Sequence, residues 1–474
     1  MPKSILIIVC LFLASTLMGQ DILISDKISI RDDYAFYLLG KQNDQYLLFR
    51  DKGNDFVVQA FNANLNKAWS KKVDLDGRRT EVIDAFGGQE GFYVLYQYRK
   101  KGNTFLKLHH YDAASELVDS VLIKNYGARF NTPFPFVQYS PNRTKMLIYH
   151  VENDKMMQAI AFDIKQMKTI WETSFKLHED LSRKYLFQPI LTDSGTAFFS
   201  YEINNRKSKL KNHQFIVHVE NAGEGIKLNI PVPQFLVVDY QFVYDPIHQQ
   251  LIAVGLYADK SITRANGVFK FALSIDRKKA GNIQKIPFDQ HLIASLAGKT
   301  TKKSLRGAED LQISHAIVRS DGGVLLLMEK VKIFHRSSIE MPGQYRRTNL
   351  SRMSTDYYFE DVFALSISPF GAPDWKAMLY KQQTSQNDQG IFSSYFLWQN
   401  KSSIRLIFND DIKRRTNVVE YILQANGESK RYSLFNTANE DLLLRMRDGL
   451  QISANEVIIP SQFKKKLRLV VVRY

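Results

Sequence analysis

The stretch NDQYLLF, residues 43–49, sets a polar turn before a dense apolar strand, and hairpins of this kind recur eight times along the chain. Their turns lie at Asn43, Gln89, Asn142, Ser194, Ile247, Gly322, Lys401 and Ala454. Successive turns are 46, 53, 52, 53, 75, 79 and 53 residues apart. A period that returns to about 53 residues indicates a repeat architecture.

A second kind of hairpin lies between the members of the first series. It consists of an alternating strand, a turn residue and a return strand. Clear copies turn at Asn62, Asp163 and Ser368, and weaker ones at Asp112, Asn221, Asp276 and Asn426. The clear copies carry tryptophan in the return strand, at Trp69, Trp171 and Trp375. Each unit therefore reads as four antiparallel strands, a to d, which is the pattern of a propeller blade.

The two ends of the chain predict how the ring closes. The eighth unit ends with the strand 467–472, so it has strands a, b and c but no strand d. Before the first unit, residues 22–30 form an apolar segment without a partner in sequence. We expect this segment to complete the last blade and cover its edge. The predicted fold is all-β, a single eight-bladed propeller; seven blades are the alternative, because the units around Asn221 and Met446 are faint.

Composition agrees with one closed array. The chain has 474 residues, of which 45% are hydrophobic and 12% aromatic, enough for packing between blades. A repeat array of this size can form one domain, so residues 21–474 are assigned to the propeller. Helical periodicity is scarce, and the clearest candidate is a short one at Leu292, Ile293 and Leu296, ending at Gly298.

Residues 1–20 have the charged start and apolar core of an export signal. We predict an exported protein, located in the periplasm, on the outer surface or in the medium; an uncleaved anchor is the alternative. The chain's one cysteine, Cys10, lies in this segment, so the mature chain would have neither disulfides nor a thiolate metal site. No later segment has the roughly 20 apolar residues that a membrane-spanning helix needs.

Repeated blades behind a signal peptide resemble the secreted WD40-like β-propellers of bacteria. More narrowly, the last third of the chain resembles a family of exported bacterial propeller proteins whose function is not established. The residues that carry this resemblance are Asp321-Gly322-Gly323, 325–329, Trp375, Ser393-Ser394-Tyr395 and 407–410. The resemblance implies a fold and a compartment, and it carries no catalytic residues. The Trp-Asp signature of eukaryotic WD40 repeats is missing at the strand ends.

The long intervals between turns come from two insertions, a d-to-a loop at 289–310 and a b-to-c excursion at 331–358, both assigned to the sixth blade. In a blade of alternating strands, b-to-c and d-to-a connections emerge on the same face. We therefore expect the two insertions side by side, on a rigid scaffold where long loops often carry binding residues.

Charge favours the same face. The chain has a formal net charge of +16, and removal of Lys3 with the signal leaves +15. Much of the excess falls in predicted b-to-c loops and the neighbouring d-to-a loop, which favours anionic ligands. The candidate ligand-binding residues are Arg346, Arg347, Arg352, Tyr345, Lys302, Lys303, Arg206 and Lys207. The alternative is that these cations keep strand edges soluble, and that Tyr357-Tyr358-Phe359 begins strand c, so that alternate rings belong to the core.

Catalytic signals are weak. His109 and His110 are neighbours on a strand and point to opposite faces, so they do not share a metal. His315 is the exception among isolated histidines, because strand a lines the central channel. We predict no metal site and no cofactor.

Two functions remain. The first is a noncatalytic binding or scaffold module for a protein, an anionic glycan or an envelope polymer. The alternative is a glycan-active hydrolase or lyase, which would need paired carboxylates about 5 to 10 Å apart at the channel mouth. Nucleic acid is not expected as a partner, and the chain is expected to be a monomer.

Overall fold

The structure is a computed structural model that describes residues 20–128, 134–178, 188–222, 224–276, 278–297, 306–338, 352–414, 417–437 and 440–474. In it, eight antiparallel sheets are arranged as the blades of one ring, which confirms the eight-bladed propeller. The expected helix is also present, as α1 (Gln290–Ala297). The export signal predicted over residues 1–20 lies outside the described residues except for Gln20.

The strands follow the predicted order a, b, c and d in each blade. They are β1 (Asp21–Ile24) and β2 (Ile28–Ser29); in blade 1, β3 (Ala35–Gln42), β4 (Gln45–Asp51), β5 (Phe56–Phe61) and β6 (Lys67–Val73); in blade 2, β7 (Arg78–Gly87), β8 (Phe92–Lys100), β9 (Asn103–Tyr111) and β10 (Leu117–Gly127); in blade 3, β11 (Phe136–Tyr139), β12 (Lys145–Glu152), β13 (Met156–Asp163) and β14 (Lys168–Lys176); in blade 4, β15 (Gln188–Leu191), β16 (Ala197–Ile203), β17 (Gln214–Asn221) and β18 (Glu224–Pro231).

The second half of the ring has the same order with additions. The strands are, in blade 5, β19 (Leu236–Asp245), β20 (Gln250–Ala258), β22 (Gly267–Ser274), β23 (Lys279–Ala280) and β24 (Gln284–Pro287); outside the blades, β21 (Arg264–Ala265) and β25 (Ala308–Glu309), which pair with each other; in blade 6, β26 (Leu311–Val318), β27 (Val324–Ser338), β28 (Arg352–Ile367), β29 (Pro373–Leu379) and β30 (Gln383–Gln386); in blade 7, β31 (Phe396–Gln399), β32 (Ser403–Asn409), β33 (Asn417–Gln424) and β34 (Ser429–Asn436); in blade 8, β35 (Leu450–Ser453), β36 (Glu456–Phe463) and β37 (Lys466–Arg473).

Ring closure follows the prediction. β1 pairs with β37, with Leu23 opposite Val471, and β2 pairs with β37, with Ile28 opposite Leu467. Between β1 and β2, the buried Ser25 accepts a hydrogen bond at its Oγ from the Leu469 N–H at 2.8 Å. The N-terminal segment is therefore strand d of blade 8.

The dense apolar runs of strand b are explained by their position between two neighbouring blades. In β4, Leu47 and Phe49 pack into the cluster between blades 1 and 2, whereas Tyr46 and Leu48 pack into the cluster between blades 8 and 1. Both faces of the strand are buried, so its sequence does not alternate. The described residues form eight such clusters, one at each interface between blades.

Two of the recurring tryptophans of strand d connect neighbouring blades. Trp171 donates through Nε1 to the Gly195 carbonyl of the next blade at 2.9 Å, and Trp375 donates to the Ala425 carbonyl of its next blade at 2.8 Å. In both cases the indole N–H finds its acceptor in the next blade, so the bond ties two blades together.

The strand order fixes two faces of the disc. We call the face with the a-to-b and c-to-d turns the turn face, and the face with the b-to-c and d-to-a connections the loop face. Blade 6 extends beyond the others on the loop face, because β27 and β28 continue their ladder from Val331 opposite Phe359 to Ser338 opposite Arg352. The excursion expected over 331–358 is thus largely strand in its described part.

Candidate functional site

Strand a of blade 6 carries a bulge, which is an extra residue that has no partner on the neighbouring strand. Between β26 and β27, Ile313 pairs with Met328 and His315 pairs with Leu327, so Ser314 is the extra residue. The same irregularity occurs in strand a of blades 1, 2, 5 and 8. The extra residues there are Leu39, Ile83, Val238 and Ile452.

Ser314 differs from the other bulge residues in its chemistry. The four aliphatic residues all pack into the clusters between blades. Ser314 instead donates through Oγ to the Leu327 carbonyl at 2.9 Å, and its Oγ lies 2.5 Å from the hydroxyl of Tyr395. The bulge of blade 6 therefore places a polar group where the repeat otherwise places an apolar one.

Tyr395 joins this bulge to the next blade. Its hydroxyl also lies 3.0 Å from Nδ1 of His315, so one buried phenol contacts both Ser314 and His315. Burial lowers the pKa of His315 to about 4, so the imidazole is neutral at pH 7. Burial also raises the pKa of Tyr395 well above its ordinary value, so the phenol keeps its proton.

A buried ion pair lies beside this cluster. Glu329 and Lys381 are 3% and 7% exposed, and Lys381 Nζ is 2.5 Å from Glu329 Oε1. Ser394 donates to Glu329 Oε2 at 2.7 Å, and Gln383 accepts from Lys381 Nζ at 3.1 Å and from the Ser394 N–H at 2.8 Å. Burial lowers the pKa of Lys381, and the neighbouring Glu329 opposes this by favouring the charged amine. The negative charge of Glu329 is thus balanced by the positive charge of Lys381.

An open cleft at the centre of the ring is lined by residues of this cluster, namely Ser314, His315, Glu329, Ser394 and Tyr395. Its volume is about 570 Å³, and it lies between strands a of blades 6 and 7 and the segment that enters blade 8. The volume is within the range of small-molecule sites. The polar lining residues are Gln312, Ser314, His315, Glu329, Ser394, Tyr395, Gln399 and Arg447, and the apolar ones include Ile313, Val331, Phe359, Phe396, Leu397 and Met446. Because it involves the d-to-a ends of these strands, the cleft opens on the loop face.

Arg447 supplies the cleft's exposed positive charge. Its guanidinium carbon lies 5.1 Å from the centre of the Phe359 ring, and among the described residues no carboxylate pairs with it. The nearby Asp448 is engaged by Arg445 instead. A planar guanidinium without an acidic partner is suited to bind a carboxylate or phosphate.

The charge of the loop face is concentrated in one kind of loop. In the described b-to-c connections, 13 Lys and Arg stand against 5 Asp and Glu, whereas the described turns of the turn face have 5 against 8. The described d-to-a connections have 4 against 11, so they offset the b-to-c excess. Positive potential is thus expected around the b-to-c loops rather than over the whole face.

Most of the binding residues predicted from sequence lie outside the described residues. This holds for Lys302, Lys303, Tyr345, Arg346 and Arg347. Arg352 begins β28, at the described end of the blade 6 ribbon.

Arg206 and Lys207 are exposed in the b-to-c connection of blade 4. Lys207 begins a 3₁₀ helix, Lys207–Asn212, that also contains Lys209 and Lys211. Neither Arg206 nor Lys207 lines the central cleft.

The other candidates have structural partners. His109 contacts Tyr96 and Tyr111 through its two ring nitrogens, at 2.7 and 2.9 Å, while His110 stacks on Tyr93. They serve different contacts, as their adjacent strand positions predict. The described residues hold no group of three or more His, Cys, Asp or Glu that suits a metal ion. Among the described lining residues, Glu329 is the single carboxylate, so the pair that a glycosidase uses is not formed there.

Sequence reasoning selected His315 and missed its partners. Ser394, Tyr395 and Asn409 belong to the motif that resembles exported propeller proteins, and the structure gives them contacts. Asn409 donates to the carbonyls of Phe392 and Leu444, both at 2.8 Å, and so holds the loop that carries Ser394 and Tyr395. The signal that was available is a polar residue at the bulge position.

No family model matches the chain, and no curated protein matches it. Among solved structures, BamB from Moraxella catarrhalis is similar at 11% identity and a TM-score of 0.40, covering 96% of this chain and 100% of that chain. The β-propeller domain of the trilobed protease from Pyrococcus furiosus is similar at 9% identity and a TM-score of 0.36, covering 84% and 97%. From similarities at this level we infer neither a family nor a function.

In the described residues, no helix is both long and apolar enough to cross a membrane.

Proposed function

We propose that this protein is a noncatalytic, exported binding module that takes an anionic glycan or envelope polymer on its loop face. The observation that carries the proposal is the open cleft of about 570 Å³, in which Arg447 is exposed and Glu329 is already neutralised by Lys381. Such a site attracts an anion and has no second carboxylate among its described lining residues for acid–base chemistry.

The b-to-c loops support the same ligand class. Their described residues carry more than twice as many cations as anions, and they lie on the same face as the opening of the cleft. Anionic polymers are bound by such spaced cations over long distances, with strong dependence on salt. We include Lys302, Lys303, Tyr345, Arg346, Arg347 and Arg352 of the blade 6 insertions, and Arg206 and Lys207 of blade 4, in the polymer-binding surface.

A salt-gradient experiment tests the charged surface. Wild type and the triple variant Lys302→Gln, Arg346→Gln, Arg347→Gln are compared on immobilised heparin and on immobilised polygalacturonate. The control is Lys165→Gln, Lys278→Gln, Lys401→Gln, which removes the same charge from three exposed positions of the turn face. We expect the loop-face variant to elute at lower salt and the control to elute with wild type.

The outcome distinguishes a site from general attraction. Equal shifts in both triple variants would show that the matrix responds to net charge alone, and the loop-face proposal would be wrong. The loop-face proposal would also be wrong if the loop-face variant eluted at the same salt concentration as wild type.

The open, polar cleft also keeps the hydrolase or lyase alternative in view, because such a mouth suits an enzyme. Incubation with polygalacturonate or heparin, followed by assay of reducing and unsaturated ends, tests it. Release of products by the wild-type protein would replace the binding proposal by an enzymatic one.

A further inference from the structure

The hydrogen bonds around Tyr395 determine which nitrogen of His315 carries the proton. The Ser314 hydroxyl has one hydrogen, and it goes to the Leu327 carbonyl, which only accepts. The Ser314 Oγ can then accept the hydrogen of Tyr395 at 2.5 Å. With its own hydrogen used, the Tyr395 oxygen accepts from His315 at 3.0 Å, so Nδ1 carries the hydrogen.

This tautomer leaves Nε2 of His315 as an acceptor. Neutral imidazole has one protonated nitrogen and one lone pair, so a hydrogen on Nδ1 places the lone pair on Nε2. Among the described residues Nε2 has no hydrogen-bond partner, and His315 lines the cleft. The imidazole is neutral because it is buried. The cleft thus offers one neutral acceptor that is held in a fixed orientation.

The second recognition group is the guanidinium of Arg447. It lies over the ring of Phe359, which lines the cleft. It has no acidic partner in the described part of the chain. Its donors suit two oxygens of one carboxylate. Both oxygens of the Glu329 carboxylate already have partners, since Lys381 contacts Oε1 and Ser394 donates to Oε2. Of the two residues, His315 is therefore the one with an acceptor that has no partner among the described residues.

The wall of the cleft continues along the blade 6 ribbon. Residues two apart on a strand share a face, so Ile333 follows Val331 and Tyr357 follows Phe359. Ile333 is 50% exposed, and Tyr357 is directly opposite it. Apolar side chains that extend from the cleft in this way are suited to pack against the sugar rings of a polysaccharide longer than one residue.

We propose that the cleft binds a carboxylate-bearing sugar residue within an acidic polysaccharide, with the carboxylate on Arg447 and a ring hydroxyl donating to Nε2 of His315. This inference rests on the proposed function and names its ligand class. A peptide carboxylate satisfies Arg447 alone, and an uncharged sugar satisfies His315 alone, so the pair selects a ligand that has both groups.

Calorimetric titration with three probes tests the pair. The probes are galacturonate oligomers, which have carboxylates and hydroxyls; poly-L-glutamate, which has carboxylates without ring hydroxyls; and glucose oligomers, which have hydroxyls without carboxylates. We expect wild type to bind the galacturonate oligomers at least tenfold more tightly than either of the others.

Variants separate the two contacts. Arg447→Gln should weaken galacturonate binding by about 10- to 100-fold, since a hydrogen-bonded charge pair is lost. His315→Phe removes the acceptor and should weaken it by about 10-fold, while His315→Gln, which retains an acceptor, should weaken it less. Lys401→Gln on the turn face is the control and should bind as wild type. Arg447 is exposed, so its variant tests the site even if a substitution at His315 impairs folding.

Each result has a distinct meaning. If wild type binds none of the probes, the proposed function fails and this inference with it. If galacturonate oligomers bind but both His315 variants and Arg447→Gln bind as wild type, the function stands and the cleft assignment is wrong. If poly-L-glutamate binds as tightly as galacturonate, the ligand is an acidic peptide and the sugar assignment is overturned.

Discussion

Ring closure depends on a short N-terminal segment, and one side chain in it can be tested alone. Ser25 is 2% exposed, and its Oγ accepts the Leu469 N–H at 2.8 Å at the point where β1 and β2 separate. Ser25→Ala removes the acceptor and leaves a buried N–H without a partner. Such a group costs about 1–3 kcal/mol, and we expect the free energy of unfolding to fall by that amount.

The assay is urea unfolding followed by tryptophan fluorescence. Trp398 is 1% exposed and lies in the cluster against which Ile22 and Ile24 of β1 pack, so its emission reports on closure. For a slope of about 3 kcal/mol per molar urea, the midpoint should fall by about 0.3–1 M. Ser29→Ala is the matched control, because Ser29 is an exposed serine of the same closing segment.

The control should unfold with wild type. If Ser25→Ala also unfolds with wild type, then the closing segment does not depend on the Leu469 contact, and the magnitude assigned to ring closure is wrong. If Ser29→Ala loses as much stability as Ser25→Ala, the loss comes from serine replacement in this segment rather than from a buried donor.

Three further predictions concern stability. The pKa of His218 is lowered to about 4, first by burial, so the unfolded chain takes up a proton between pH 6.5 and 4 that the folded chain does not, and stability falls with pH in that window. In His218→Phe this contribution is absent, and the difference in urea stability between pH 7 and pH 5 should shrink by ~1–2 kcal/mol; an unchanged difference would contradict it. Glu329→Gln should cost about 3–5 kcal/mol in urea unfolding because Lys381 is left buried and unpaired, and the double variant Glu329→Gln, Lys381→Met should recover most of it; no recovery would refute the pairing. Gly91→Ala should lower the thermal midpoint strongly, at a cost of at least ~3 kcal/mol, because φ is +139° and an added Cβ would lie 2.0 Å from the Tyr111 carbonyl oxygen; a midpoint within a degree of wild type would contradict this packing.

The fold was predictable because its signals are local. A strand between two blades is buried on both faces, so runs such as Tyr46 to Phe49 are apolar without alternation, and a turn must precede each of them. The spacing of these runs can be read from the sequence without knowing which residues are in contact. Closure was predictable for a different reason. The last unit has one strand fewer than the others, and the N-terminal segment is an additional strand that can complete it.

The site was predictable only in part. His315 was selected because strand a lines the channel, and the structure places it in the cleft. Its partner Tyr395 is 80 residues away along the chain, and the contact exists because a bulge shifts the register between β26 and β27. A register shift depends on both strands together, so neither strand's own pattern predicts it. The pair of Glu329 and Lys381 is likewise a contact between distant segments, and each residue alone resembles a surface charge.

A residue that differs in chemistry from its equivalents in the other blades can nevertheless be recognised in the sequence. In a repeat array each blade serves as a reference for the others, because equivalent positions meet equivalent neighbours. In the described part of the chain, four bulges in strand a hold aliphatic residues that pack between blades, and a fifth holds Ser314. A polar residue at a position that packing otherwise fills lowers the apolar contribution of that blade, and it persists only where its hydrogen bonds compensate. Those bonds hold Tyr395 against His315, which lines the cleft on the same face as the long ribbon of blade 6.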